Sequence, residues 1–233
     1  MKQVVLFGDS LTAGRIGISY RRYIPMPSEA RGVEGEIWSS TIRRLLKYLE
    51  RKTLLGSNTT VVMQTGANDL LLPEMARRYQ SWQSAQFSID EALENHDEFE
   101  QICTEQLQTV CTQIPLIVCS LPVLGEQLDS ELNTRRRERN ALLERITAQI
   151  PNASFCDIAT PVELTIREQG GHTEYFPPSP ASIAEDVERI GTDEVRAAQC
   201  SEDRHLIATI DGVHLNAIGA QLIGAAITAK LPW

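Results

Sequence analysis

The sequence predicts an α/β fold in which a parallel β-sheet is covered by helices on both sides. Short apolar runs without alternation recur along the chain, as strands buried on both faces require. Between them, apolar residues return at helical spacing. The composition agrees: 233 residues, 42% hydrophobic and 23% charged, is ordinary usage for a globular domain. A chain of this length can bury roughly 70% of its unfolded surface, so it needs no disulfide or metal staple.

The first run, Val4-Val5-Leu6-Phe7 within residues 3–7, opens the chain as a strand. Residues 60–64 and 116–121 repeat the pattern, and 154–157 repeats it more weakly. Among the helical stripes, Ile42, Leu45, Leu46 and Leu49 recur at i, i+3, i+4 and i+7. A longer stripe comprises Phe99, Ile102, Cys103, Leu107, Val110, Cys111 and Ile114. Leu142, Leu143, Ile146 and Ile150 mark a third within 130–150. The last helix, near 216–230, carries Ile218, Leu222 and Ile227, with Asn216 placed to cap it. No strand is expected in 21–31, which Pro25 and Pro27 interrupt.

No internal repeat and no linker divides the chain, so residues 1–233 read as a single domain. Two intervals fit the alternation badly and are expected to be ordered insertions. Residues 71–97 are polar and aromatic, with Tyr79, Trp82 and Phe87. Residues 159–209 open into Gly170-Gly171-His172 and then Tyr175-Phe176-Pro177-Pro178-Ser179-Pro180, before weak helical signals resume. Met26-Pro27 and the segment 175–180 could line a substrate mouth or be loops with buried side chains.

Charge and cysteine usage exclude several classes. Lys and Arg total 22 against 31 Asp and Glu, a net charge of −9 that repels phosphate backbones and argues against nucleic-acid binding. The basic run Arg135-Arg136-Arg137-Glu138-Arg139 reads as the solvated face of a helix. Cys103, Cys111, Cys119, Cys156 and Cys200 are odd in number and include no C-x-x-C pair, so free buried thiols in a reducing compartment are expected. The N-terminal apolar run is too short for a signal peptide, and no run approaches the ~20 residues of a membrane span. The expected setting is cytoplasmic and soluble, with no membrane insertion. No pair of histidines has metal-ligand spacing, so no metal or cofactor is expected.

Three short segments carry the chemistry. Gly8-Asp9-Ser10-Leu11 follows the first strand and places a serine on the rim where open parallel sheets bind ligands. A serine hydroxyl is a poor nucleophile without a base. Taken alone, Ser10 reads more simply as a cap on Thr12 or Ala13. Asp211-Gly212-Val213-His214 precedes the last helix and sets a carboxylate three residues before an imidazole. Across the glycine, Asp211 can reach the Nδ1–H of His214, fix its tautomer and stabilise the imidazolium that forms when it accepts a proton. Alone, this too reads as a surface turn. His96 and His205 suit exposed positions, and His172 is a weaker second candidate. In Thr65-Gly66-Ala67-Asn68-Asp69, Asn68 falls on the same rim as Ser10 and can donate to an oxyanion, or can simply close an Asx turn.

In order, Gly8-Asp9-Ser10-Leu11, Gly66-Ala67-Asn68-Asp69 and Asp211-Gly212-Val213-His214 resemble the signature blocks of the SGNH hydrolases, also called GDSL esterases/lipases. The resemblance implies a three-layer α/β/α sandwich of flavodoxin-like type. It implies Ser10 as nucleophile, His214 as general base and then acid, and Asp211 as its orienting partner. It implies an oxyanion hole from Ser10 N–H, a glycine N–H and Asn68. Gly35, ahead of the helix with Ile42, is the expected glycine, and Gly32 is the alternative. The absence of a G-x-S-x-G elbow separates the chain from the α/β-hydrolases. The expected substrates are small soluble acyl or acetyl esters, because only 6% of residues are aromatic. The alternatives are a lipid or long-acyl (thio)esterase and a non-catalytic binding protein that retains the fold. Oligomeric state is not legible.

Overall fold

The structure, a computed structural model, describes residues 3–51, 59–83, 89–170, 176 and 178–232. Among these, five strands form one parallel sheet: β1 Gln3–Gly8, β2 Ser28–Gly32, β3 Thr59–Gln64, β4 Leu116–Cys119 and β5 Ala153–Cys156. Their order across the sheet is β2-β1-β3-β4-β5. The helices are α1 Ser10–Ala13, α2 Trp38–Arg51, α3 Asn68–Arg78, α4 Gln80–Gln83 and α5 His96–Cys111. They continue with α6 Glu131–Gln149, α7 Ala159–Glu168, α8 Pro180–Arg189, α9 Glu194–Asp203 and α10 Ala217–Lys230.

Strand side chains alternate between faces, and here both faces are buried. Val5, Phe7, Val61, Met63, Leu116 and Val118 pack against α2, α3, α5 and α6. Val4, Leu6, Val62, Ile117 and Cys119 face the opposite way, against α7, α9 and α10. This is the predicted three-layer α/β/α sandwich. All five cysteines are free and buried.

The register places the site. Gly8 pairs with Gly32 of β2 and with Gln64 of β3, so these three strands end level and their following loops share one rim. From β1 the chain moves to β2 on one side and then crosses to β3 on the other. That reversal makes the rim a topological switch point, the crevice where open α/β sheets bind ligands.

Four expectations need correction. A strand does lie within 21–32: Ser28–Gly32 pairs with β1 along its whole length. It is an edge strand, half-buried throughout, so Ser-Glu-Ala-Arg-Gly carries no apolar run. Pro27 sits just before it and contributes only its carbonyl, which accepts Val4 N–H at 3.0 Å. In α10 the buried stripe is Ala220, Ile223 and Ile227, while Ile218 lies 41% exposed. The basic run of α6 is not a solvated face either. Arg136 and Arg139 are buried; Arg136 pairs with Glu163, and Arg139 donates to the carbonyls of Leu93 and Glu94 and stacks on Phe99. Finally, residues 71–97 are less polar than read, because Leu71, Leu72 and Met75 in α3 are buried. The interval 159–209 contains α7, α8 and α9.

Candidate active site

Ser10 opens α1 directly after β1. Asp9, not Ser10, caps the turn, its Oδ1 accepting Leu11 N–H at 3.0 Å. The serine is thereby left free to line a cavity of about 280 Å³, which Gly35, Asn68 and His214 also line. Asp211 stands behind the histidine, fully buried. Four of the five expected site residues thus share one cavity, and the fifth touches the fourth.

The histidine turn is closed by its own aspartate. Asp211 Oδ1 accepts the backbone N–H groups of Val213 at 2.9 Å and His214 at 2.7 Å. Its Oδ2 lies 2.7 Å from His214 Nδ1, which orients Nε2 away from the carboxylate. Burial acts to raise the Asp211 carboxyl, but the imidazole's charge and these hydrogen bonds outweigh it and hold the carboxyl below its ordinary value. Burial likewise acts to lower the imidazole. The attraction of Asp211, aided by Glu34 and Asp9, overrides it and raises His214 above its ordinary value.

The donors come from the neighbouring strand ends. Gly35 lies in the turn after β2 with φ +65°, a conformation that glycine adopts without strain. Among the described residues, neither its N–H nor that of Ser10 meets an acceptor within the protein. Asn68 begins α3, and its Nδ2 donates to Glu36 O at 2.9 Å, tying the Asn68 amide to the Gly35 turn. Arg44 Nε holds the Glu36 carboxylate at 2.9 Å, and Arg44 Nη1 holds Arg31 O at 2.7 Å. Asp69 steadies the other side by accepting Trp38 N–H at 2.8 Å and Leu93 N–H at 2.9 Å. Gly32, the alternative glycine, lies at the end of β2 against the backbone of α1. A Cβ there would lie 2.0 Å from the backbone nitrogen of Ala13.

The sequence profile of the GDSL-like Lipase/Acylhydrolase family matches residues 6–222. The chain belongs to this family. It is a serine carboxylic ester hydrolase of the GDSL type. No curated protein matches it by sequence. In fold, the GDSL chain is similar to the acetylxylan esterase Axe2 from Geobacillus stearothermophilus. The TM-score is 0.60 at 14% identity, covering 100% of this chain and 94% of that one. A variant described as an acetyl-xylooligosaccharide esterase from the same organism gives TM-score 0.61 at 14% identity, over 100% and 95% of the two chains. A putative platelet activating factor from Streptococcus pneumonia gives TM-score 0.53 at 14% identity, over 99% and 84%.

The remaining walls of this GDSL site were not anticipated from the sequence. Ile16, Leu71, Leu72, Met75, Ile183, Val187 and Val213 supply an apolar surface, and Arg15 and Glu34 a polar one. A usable signal existed in Leu70-Leu71-Leu72 with Met75, which directly follow Asn68-Asp69 at helical spacing. Of the other histidines, His96 and His205 are exposed, and His172 lies outside the described residues. Phe87, Tyr175 and Pro177 also lie outside them. Met26 packs on the α7/α10 core and Phe176 against Gly125, away from this cavity. Among the described residues no helix is long and apolar enough to cross a membrane, and no cluster of three or more His, Cys, Asp or Glu could hold a metal ion.

Proposed function

We propose that this chain cleaves carboxylic esters through an acyl-enzyme on Ser10. His214 accepts the Ser10 proton as Oγ attacks the ester carbonyl, while Asp211 holds the imidazole and stabilises its charged form. The tetrahedral oxyanion is received by Ser10 N–H, Gly35 N–H and Asn68 Nδ2. His214 then gives the proton to the departing alcohol. In the second half, His214 takes a proton from water, which attacks the acyl carbonyl and releases the acid and free Ser10. The observation that carries this reading is the single cavity lined by Ser10, Gly35, Asn68 and His214, with Asp211 at 2.7 Å behind. In the acetylxylan esterase named above, catalytic variants replace a serine, an aspartate and a histidine, the same three residue types.

The cavity also bears on substrate. At about 280 Å³ it lies at the lower edge of the roughly 300–1,000 Å³ typical of small-molecule sites. Its walls on α3 and α8 are apolar, which favours a short alkyl acyl group over both a long lipid chain and a polar acid. Ser10→Ala should abolish ester hydrolysis and labelling by a fluorophosphonate while leaving the fold intact. Full activity in that variant would remove Ser10 from the reaction, whereas no ester hydrolysis and no labelling by the wild type would leave the binding-protein alternative standing. A series of p-nitrophenyl esters from acetate to palmitate should peak at short chains, and a maximum at eight carbons or longer would favour the long-acyl alternative.

A further inference from the structure

The geometry points to Glu126, a fully buried residue in the loop after β4, as the positioning residue that sets the Asp211-Gly212-Val213-His214 turn in place. Its carboxylate gathers four donors from the segment that leads into this turn. Oε2 accepts Ile207 N–H at 2.7 Å. Oε1 accepts Ala208 N–H at 2.9 Å, Thr209 N–H at 2.9 Å and the Thr209 hydroxyl at 2.8 Å. Four donors converging on one group call for an acceptor without a proton of its own. Among the described residues no lysine, arginine or histidine forms an ion pair with it; its partners are three backbone N–H groups and the Thr209 hydroxyl.

From there a relay reaches the turn. Thr209 Oγ1, its proton committed to Glu126, accepts Gly212 N–H at 3.1 Å. The neighbouring Gly125 N–H donates to Gly212 O at 2.8 Å, so the two peptide units that flank the Gly212 Cα are both tied to the Gly125-Glu126 loop. That loop is itself anchored. Asn133 of α6, fully buried, accepts Leu124 N–H at 3.1 Å and donates to Leu124 O at 2.9 Å and Gly125 O at 3.0 Å. The residues flanking the Asp211–His214 turn are also held, by Ile210 N–H to His214 O, the Thr209–Leu215 bridge, Arg204 Nη1 to Ile210 O at 2.7 Å, the Ser201 hydroxyl to Thr209 O at 2.7 Å and Ile18 N–H to Leu215 O at 2.8 Å. None of these reaches Gly212 inside the turn. Glu126 thus connects the buried Asp211–His214 turn to a helix of the opposite layer.

This inference rests on the Ser10–His214 reading above. The test compares Glu126→Gln and Thr209→Val with the wild type in the full chain. Glu126→Gln keeps the shape but removes the charge and sets an amide against Ile207 N–H. Thr209→Val keeps the charge and cuts the relay to Gly212. A third variant, Leu107→Ala in α5, lowers stability from the opposite sheet face and serves as control. Readouts are Tm, kcat, KM and the rate of fluorophosphonate labelling, all measured well below each Tm. The expected result is a kcat and labelling rate reduced roughly 10- to 100-fold, as a displaced catalytic group produces, with KM within about two-fold. Wild-type kcat and labelling in both folded variants would overturn the inference, and so would a loss no larger than that of Leu107→Ala. Should Glu126→Gln fail to fold, Thr209→Val decides alone. Ser10→Ala runs beside them: if it stays active the site reading fails, and if it is inactive while the other two react normally only the role of Glu126 fails.

Discussion

Asp9→Asn should make this protein more stable at pH 8 and leave it almost unchanged at pH 4. Asp9 is 2% exposed and accepts two hydrogen bonds, from Leu11 N–H at 3.0 Å and Gln64 Nε2 at 3.1 Å. Burial pushes its carboxyl up to about 7, against the pull of those bonds and of His214, and with a small further push from Glu36. In the unfolded chain an aspartate titrates near 3.9. Between these values the folded protein binds the proton and the unfolded chain does not, so stability falls as pH rises through that window. By pH 8 the loss is complete. Three units at roughly 1.4 kcal/mol each amount to about 4 kcal/mol at most. Asparagine keeps the acceptor for Leu11 N–H. Its amide requires the Gln64 side chain to turn, with the Thr12 hydroxyl, 2.7 Å from Tyr20 OH, reversing its bond to Gln64. That rearrangement costs about 1 kcal/mol, leaving a net gain of about 1–3 kcal/mol. For a chain of this size the gain is roughly 3–10 °C in Tm. Calorimetry of both proteins at pH 4 and pH 8 measures it. A loss of stability at pH 8, or the same gain at both pH values, would refute the reasoning.

Further outcomes follow from the site. Removing the side-chain donor in Asn68→Ala should lower kcat roughly 100- to 1,000-fold with little change in KM, and steady-state kinetics on a short-chain ester would show it. Gly35→Ala should also lower kcat, since φ +65° disfavours a Cβ by about 1–2 kcal/mol and the peptide will turn its N–H away; an unaltered kcat would return the role to Gly32. For pH, the base must be neutral, so kcat/KM should rise through a pKa above the ordinary histidine value of about 6.5. Asp211→Asn removes the charge that favours the imidazolium, so that limb should move to lower pH as the rate falls. A limb that stays in place would separate Asp211 from His214.

The candidate site of this chain was legible because its residues are local in sequence. Asp211 and His214 are three residues apart, and Ser10 and Asn68 each follow a strand whose continuous apolar run can be read by eye. β1, β3 and β4 are buried on both faces, and burial writes itself into composition. β2 is half-buried along the edge, where hydrogen bonds to β1 alone define the strand, and a backbone hydrogen bond leaves no trace in residue type.

Arg136 and Arg139 show a second limit. Their spacing on α6 is what a buried stripe requires, but charge argued for solvent, and distant partners such as the Glu163 carboxylate, the carbonyls of Leu93 and Glu94 and the Phe99 ring make burial tolerable. Glu126 repeats the case in the opposite sign. Its partners lie 81 to 83 positions along the chain and are mostly backbone N–H groups, identical in every residue except proline. A side chain that binds backbone imposes no pattern on its partners, so no motif can announce it. The residues proposed to react can therefore be read from three tetrapeptides, whereas the proposed brace for their geometry emerges only when the sheet brings the β4 loop against the turn before α10.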